Sequence, residues 1–340
     1  MYDHHVDRDA FRAIDSLPIR DTSIDLLDLD QVAAHVAQAR ERGRYRGPEH
    51  PYDYLLYKRC LVASEGTVMA TPAGILCFGY NPQDIFPRAV VDLAHYHGVD
   101  PVSFEVAHLE KDIGGTIFDQ IARVENYLWL NTHHGMTLDG SSSQRVEVHE
   151  YPRAVIRELG VNMIVHRDYA NVHSASRVLL FRDRIEWTNP GGLPAGLTIQ
   201  DILGAQAARN PVILSILYES GYVEAIGQGI DTVITVLHRE GMQQPHFEDT
   251  GAFFRVMVYG KTMDQFSDAQ LLGRLTERQR RILGFIRVRD EVAPSEIEDL
   301  LGQSVTVRSI QRDLKVLQDA ELIQATGSGR GRGIRYRIRS

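Results

Sequence analysis

Cysteine is nearly missing from this chain: among 340 residues there are two, Cys60 and Cys77, and they form no CxxC pair. That excludes a cysteine-built zinc site and a disulfide framework, and it points to a reducing compartment. No run of about eighteen apolar residues occurs, so no transmembrane helix is expected. The opening Met-Tyr-Asp-His-His-Val-Asp-Arg-Asp has neither the basic nor the apolar region of a signal peptide. A cytoplasmic protein with no membrane partner is the expectation. A P-loop is lacking too. Gly260-Lys261-Thr262 has the right ending, but the first glycine of the pattern would fall on Arg255, and no apolar helix follows. With no second nucleotide-binding core in view, a translocating helicase has no engine.

A basic excess is also absent, since the net charge is -8. The charge is uneven, however. From Leu271 to Ser340 there are 14 Lys and Arg against 9 Asp and Glu, which leaves 23 against 36 for the preceding residues. Such asymmetry suggests a separate C-terminal domain with an anionic partner.

What is present up to about residue 110 is structure more than chemistry. Residues 26–40 and 52–64 read as helices, a turn follows at Glu65-Gly66, and residues 88–97 read as a strand. The His95-Tyr96-His97 triplet lacks a nearby third ligand, so it reads as structural rather than as a metal pair. Residues 117–130 form an amphipathic helix, and 131–150 read as a polar loop ending in a short strand.

The most informative stretch is 152–169. Pro152 suits a first helical position, and the residues that follow are apolar around much of the helix circumference, which predicts burial. Yet Glu158, Asn162 and His166, at i, i+4 and i+8, form one polar stripe. On a buried helix these groups need partners or face a ligand, because each unsatisfied polar group costs about 1–3 kcal/mol. Beyond it, residues 175–188 read as a hairpin turning at Arg182-Asp183. The hairpin leads into Asn189-Pro190-Gly191-Gly192-Leu193-Pro194, where backbone can approach a ligand or simply turn. A helix follows at 212–220, then Gly227-x-Gly229 opens another, a phosphate-friendly but common arrangement. Residues 253–260 read as a closing strand.

In this order, Glu158-Leu-x-x-Asn162, the Asn-Pro-Gly-Gly-Leu-Pro turn and the Gly-x-Gly helix start resemble the Bergerat (GHKL) nucleotide-binding fold. More closely, Glu-Leu-x-x-Asn-x-x-x-His166-Arg167-Asp168-Tyr169, Arg209-Asn210-Pro211, Gly-x-Gly-Ile and the upstream Thr71-Pro-Ala-Gly-Ile-Leu-x-Phe-Gly79 resemble the RecG-related ATP-binding transcriptional regulators. The resemblance covers roughly residues 15–340. It implies ATP and Mg²⁺ as cofactors, with Asn162 coordinating the metal and Glu158, as catalytic residue, orienting or deprotonating the attacking water. Gly191, Gly192, Gly227 and Gly229 would admit the nucleotide under a lid spanning about 195–226, and Arg209 would contact phosphate. His166, with Arg167 and Asp168, would shape the helix end and the pocket rim. The wider superfamily begins its glycine box with an aspartate that reads the adenine amino group. Aligning Gly192-Leu193-Pro194 on the end of that box puts Thr188 there, beside Asn189, so a neutral side-chain oxygen would have to accept that hydrogen bond. These regulators usually carry an N-terminal Schlafen-type AlbA domain, which this chain is expected to lack.

After a polar linker near 264–274, a helix starts at Thr276, a second is capped by Ser295, and a third spans about 307–320. Two short strands, 322–326 and 334–338, flank a Gly/Arg-rich turn. This is the pattern of a winged helix-turn-helix and resembles the DNA-binding domains of bacterial repressors. Ser309, in Ser309-x-x-Arg312-Asp313-Leu314-x-x-Leu317, lies on the recognition helix. Arg308, Gln311, Arg312 and Lys315 recur on its polar side, and Arg330, Arg332 and Arg335 load the wing.

The expected fold is therefore α+β. An N-terminal mixed α/β domain (1–130) precedes a GHKL-like α/β sandwich (131–262), a linker (263–274) and a winged helix (275–340). The expected function is a nucleotide-responsive, DNA-binding regulator, as a homodimer on duplex DNA. The alternatives are an ATPase of DNA metabolism, with slow hydrolysis at most, and a degenerate fold kept as a dimerisation platform.

Overall fold

Apolar residues at helical spacing behind Asp28, whose carboxylate accepts from the Asp30 and Gln31 amides, start α1 (Leu29–Glu41) in the computed structural model. The model describes residues 13–64, 66–101, 106–138, 145–194, 196–202, 208–223, 229–261, 275–289, 291–301, 305–319, 322–326 and 334–338. These fall into two compact units. One holds the chain up to 133 together with 150–261, and the other holds 134–149 together with the residues after 261.

In the first unit, α2 (Pro51–Tyr57) is half the helix expected over 52–64. The chain leaves it at Arg59, whose φ is +58°, and forms a hairpin of β1 (Leu61–Ser64) and β2 (Thr67–Ala70) around Gly66 at φ +82°. Apolar content alone did not distinguish these alternatives; the left-handed residues decide. α3 (Pro72–Phe78) follows, fully buried, with Thr71 accepting from the Gly74 amide at 3.3 Å.

Next come β3 (Val91–Tyr96), β4 (Val106–Ile113) and α4 (Ile117–Asn131). β5 (His134–Leu138) and β6 (Arg145–His149) pair as a hairpin in the second unit. α5 (Arg153–His166) takes Pro152 as its N-cap, one residue ahead of the expected place. β7 (Ser176–Leu180), β8 (Arg184–Pro190), α6 (Pro211–Glu219), α7 (Gly229–Arg239), β9 (His246–Asp249) and β10 (Phe253–Tyr259) complete the unit. The six-stranded sheet has the order β4-β3-β7-β8-β10-β9, with β3 parallel to β7 and the other neighbours antiparallel. Strands from both sides of residue 131 therefore share one sheet, and the expected boundary at 130/131 lies inside it.

Alternation along the strands sorts the side chains. Val91, Leu93, Val178, Leu180, Ile185, Trp187, Val256 and Val258 are buried in one core together with Val155, Ile156, Leu159 and Met163 of α5. Asp92, Arg177, Glu186 and Arg255 gather on the opposite face. A second core gathers α1, α2, α3 and α6, and it takes Val161, Ile164 and Val165 from α5. This accounts for the helix being apolar almost all round: each side faces a different core. Within the second core Glu219 is buried, accepting from Tyr54 Oη at 2.8 Å and pairing with Lys58 Nζ at 2.7 Å.

Asp15, fully buried, accepts from the amides of Val212 (2.8 Å) and Ile213 (3.1 Å) at the start of α6. Burial outweighs these hydrogen bonds and pushes its pKa up to about 6. The folded state then holds this proton more tightly than the unfolded chain, whose Asp titrates near about 3.9. The contribution is fully present below that value and lost as pH rises through about 6. In chemical denaturation, wild type is expected to gain stability relative to Asp15→Asn on going from pH 7 to pH 4. A difference independent of pH would refute this.

In the second unit, α8 (Glu277–Arg289), α9 (Pro294–Leu301) and α10 (Val307–Asp319) enclose Ile282, Ile286, Ile297, Ile310, Leu314 and Leu317, beside an antiparallel pair of β11 (Ile323–Thr326) and β12 (Arg335–Ile338). Thr276 and Gln279 cap α8 reciprocally, as expected there. Ser295 does not cap the second helix: the helix begins at Pro294, two residues earlier than expected, and Glu296 reaches back to the Ala293 amide at 2.8 Å. Buried Asp313 accepts from Gln279 Nε2 at 2.9 Å and pairs with Arg278, tying α10 to α8.

Candidate functional site

The pocket opens where the C-terminal half of α5, the end of β8 and the start of α7 meet. It encloses about 670 Å³, counted out to open solvent. Leu159, Met163, Trp187, Ile230, Phe254 and Val256 make apolar walls, while Asn162, His166, Asn189 and Arg209 supply the polar groups. The walls suit a flat, largely apolar ring, and the few polar groups fix its orientation.

The polar stripe read from the sequence faces this region. α7 begins at Gly229 against Glu158 and Asn162: a β-carbon at Gly229 would run into Glu158 Oε1 and lie 3.0 Å from Asn162 Oδ1. Asn162 Nδ2 is buried with no hydrogen-bond partner among the described residues. His166 lines the pocket, and burial, followed by the nearby Arg209 charge, lowers its pKa to about 4, so the imidazole is neutral at pH 7.

At the mouth the chain turns through Gly191 at φ +89°. The Gly191 and Gly192 amides donate to Ala252 O and Gly251 O, each at 3.0 Å. Arg209 lies across this turn, with Nη2 donating to Gly192 O at 2.6 Å and Nη1 3.4 Å from Asp168 Oδ2. A β-carbon on Gly191 would sit 2.6 Å from Arg209 Nη1, so the close approach needs glycine. Asp168 thus belongs to the rim, and Arg209 to both rim and pocket.

Thr188 and Asn189 part company. β8 alternation turns Asn189, with Trp187, into the pocket. Thr188 faces the other side of the sheet, where its hydroxyl accepts from Arg255 Nε at 3.3 Å. Thr188, which the alignment put at the base-reading position, therefore does not face the pocket, because one residue along a strand reverses the face. Asn189 is 5% exposed, and its Oδ1 accepts from Ser176 Oγ at 2.9 Å. Ser176 Oγ in turn accepts from Arg167 Nη1 at 2.7 Å.

Gly227 lies outside the described residues, as do Arg330 and Arg332. The lid expected over 195–226 does not include α6. Ile213, Ile216 and Leu217 of α6 are fully buried in the second core, so α6 is scaffold, and among the described residues only Ile202 and Arg209 of this stretch line the pocket. Sequence reasoning passed over three residues. Trp187 is 2% exposed, and its indole N–H has no partner among the described residues; its place two positions before Asn189 was a usable signal. Ser176 orients Asn189. Asn210 Nδ2 donates to Val165 O and Arg167 O, both at 2.8 Å, closing the C-terminus of α5. Neither contact leaves a local trace in the sequence.

On α10, Arg308, Gln311, Arg312 and Lys315 are exposed on the side away from Ile310, Leu314 and Leu317. Ser309 Oγ lies 2.9 Å from Thr306 Oγ1, in the helix cap. Arg335 is exposed on β12.

Among the described residues no helix is long and apolar enough to cross a membrane, and no group of three His, Cys, Asp or Glu side chains is placed to hold a metal. No curated protein matches the sequence. Among solved structures, the DIP2311 protein from Corynebacterium diphtheriae superposes with a TM-score of 0.59 at 18% identity, over 96% of this chain and 64% of that one. The chain thus spans less than two thirds of that protein's length, and the likeness is one of fold. The family described as "Putative ATP-dependent DNA helicase recG C-terminal" matches residues 173–258, a stretch that contains Asn189, the glycine turn, Arg209 and Gly229 but begins after α5. Residues 173–258 are thus similar to a RecG-related, ATPase-like domain.

Proposed function

We propose that this chain is a nucleotide-responsive DNA-binding regulator, with ATP and Mg²⁺ bound in the pocket and duplex DNA held by a C-terminal winged helix. The observation that carries the nucleotide reading is the convergence of Glu158 and Asn162 on the glycine that starts α7. Here a helix N-terminus, a side-chain oxygen and an apolar slot come together in one pocket. Mg²⁺ fits such a place: it is held by one or two protein oxygens plus phosphate, and Asn162 Oδ1 supplies one. Bound there it would neutralise phosphate charge. Glu158, half-buried on the same stripe, is the residue placed to orient an attacking water.

Calorimetry with a nonhydrolysable ATP analogue and Mg²⁺ tests this. Wild type is expected to bind, Asn162→Ala to lose at least about tenfold in affinity, and Glu158→Ala to bind while losing any hydrolysis. Equal heats from wild type and Asn162→Ala would remove the proposal.

The DNA reading rests on the exposed row Arg308, Gln311, Arg312 and Lys315. Among the described residues none of its three cations is in an ion pair, so the row can meet phosphates and guanine edges. Arg312→Ala is expected to weaken duplex binding several-fold, and more at low salt. Unchanged binding across a salt series would sink the assignment of α10 to the groove. Homodimerisation on a two-fold operator belongs to the same proposal.

A further inference from the structure

We propose that Asn189 reads a purine base through its amide N–H, donated to ring nitrogen N1, so that the amino group at C6 is dispensable; this rests on the nucleotide reading of the pocket. The direction of the hydrogen bonds behind Asn189 fixes its polarity. A guanidinium can only donate, so Arg167 Nη1, 2.7 Å from Ser176 Oγ, occupies a lone pair of that hydroxyl. The hydroxyl proton is left to donate, and its acceptor is Asn189 Oδ1 at 2.9 Å. With Oδ1 engaged by its neighbour on β7, the Asn189 side chain offers its NH₂ to the pocket, where it has no hydrogen-bond partner among the described residues.

Trp187, two residues earlier on the same strand face, forms the apolar wall beside this amide. A donor left unmet in such a place costs about 1–3 kcal/mol, so the Asn189 amide is complementary to an acceptor on the ring edge. A carboxylate at this place would accept from an exocyclic amine. An amide held by Ser176 does the opposite. Arg167 and Ser176 are positioning residues: they touch no ligand and act through Asn189.

Isothermal titration of the full chain with Mg²⁺ and three probes tests this. ATP carries both groups, purine riboside triphosphate lacks the amino group but keeps N1, and 1-deaza-ATP keeps the amino group but lacks N1. Expected is purine riboside triphosphate within about threefold of ATP and 1-deaza-ATP about tenfold weaker. The reverse order, equal losses for both analogues, or no loss for either would overturn the proposal. Absence of binding by all three, ATP included, would instead remove the nucleotide reading itself and this proposal with it. Ser176→Ala, checked for folding by its thermal melt, frees the amide to turn, and its preference is expected to shift by at least threefold toward ATP over the riboside triphosphate. An unchanged ratio would overturn the Ser176 relay.

Discussion

Arg167→Ala is expected to destabilise the protein by about 3–5 kcal/mol, the range for stranding the partners of a buried charge. The guanidinium is 2% exposed and lies just past the last residue of α5. Its Nη2 donates to Ser174 O at 2.8 Å and to Arg88 O, and its Nη1 to Ser176 Oγ and, at 3.4 Å, to Val90 O. The ring of Tyr169 lies under the cation at 5.6 Å. Alanine would leave three carbonyls and a hydroxyl without the donor built for them. Lysine would keep the charge but present one nitrogen where the site is built for a planar pair. Urea denaturation measures the effect, and a loss under about 1 kcal/mol for Arg167→Ala would contradict the role given to this side chain.

Gly229→Ala is expected to act in the opposite sense, costing little stability and most of the nucleotide affinity. At a helical position alanine is favoured over glycine by about 0.5–1 kcal/mol, which offsets local strain. The new methyl group meets the tips of Glu158 and Asn162, which are side-chain atoms able to swing aside, so the backbone need not move. Once displaced, however, those two groups no longer face the place where phosphate and metal would sit. A loss of about a hundredfold in ATP affinity, at an unchanged or slightly raised midpoint of thermal unfolding, is the expected pattern. Retained affinity would show that Glu158 and Asn162 do not contact the ligand.

Long elements with a strong period were legible from sequence. α4, α5 and the β7–β8 hairpin were visible, and the all-round apolar character of α5 correctly announced burial. What escaped had a physical reason in each case. The β1–β2 hairpin was hidden because apolar residues 60–63 fit a helix as well as a strand, and only the left-handed Arg59 and Gly66 separate the two. β4 and β9 are edge strands, and their alternation is diluted by charged residues. In the site, the stripe of Glu158, Asn162 and His166 could be read because helical spacing is local. Alignment placed Thr188 at the base-reading position with Asn189 beside it, whereas which of the two faces the pocket depends on strand register. Ser176 and Asn210 were not legible in their roles, and Arg167 was legible only as part of the helix end, because each acts on groups that only tertiary folding brings near.

Asp15 bonds to amides 197 and 198 positions further along the chain. A chain emerging from the ribosome therefore makes Asp15 long before the helix that needs it. Until α6 is synthesised the second core lacks Ile213, Ile216 and Leu217, and until β10 follows the sheet lacks the strand between β8 and β9. The first unit closes through distant contacts, so its folding is slow by topology, with α1 to α3 lacking their α6 partner until more than a hundred further residues have been made.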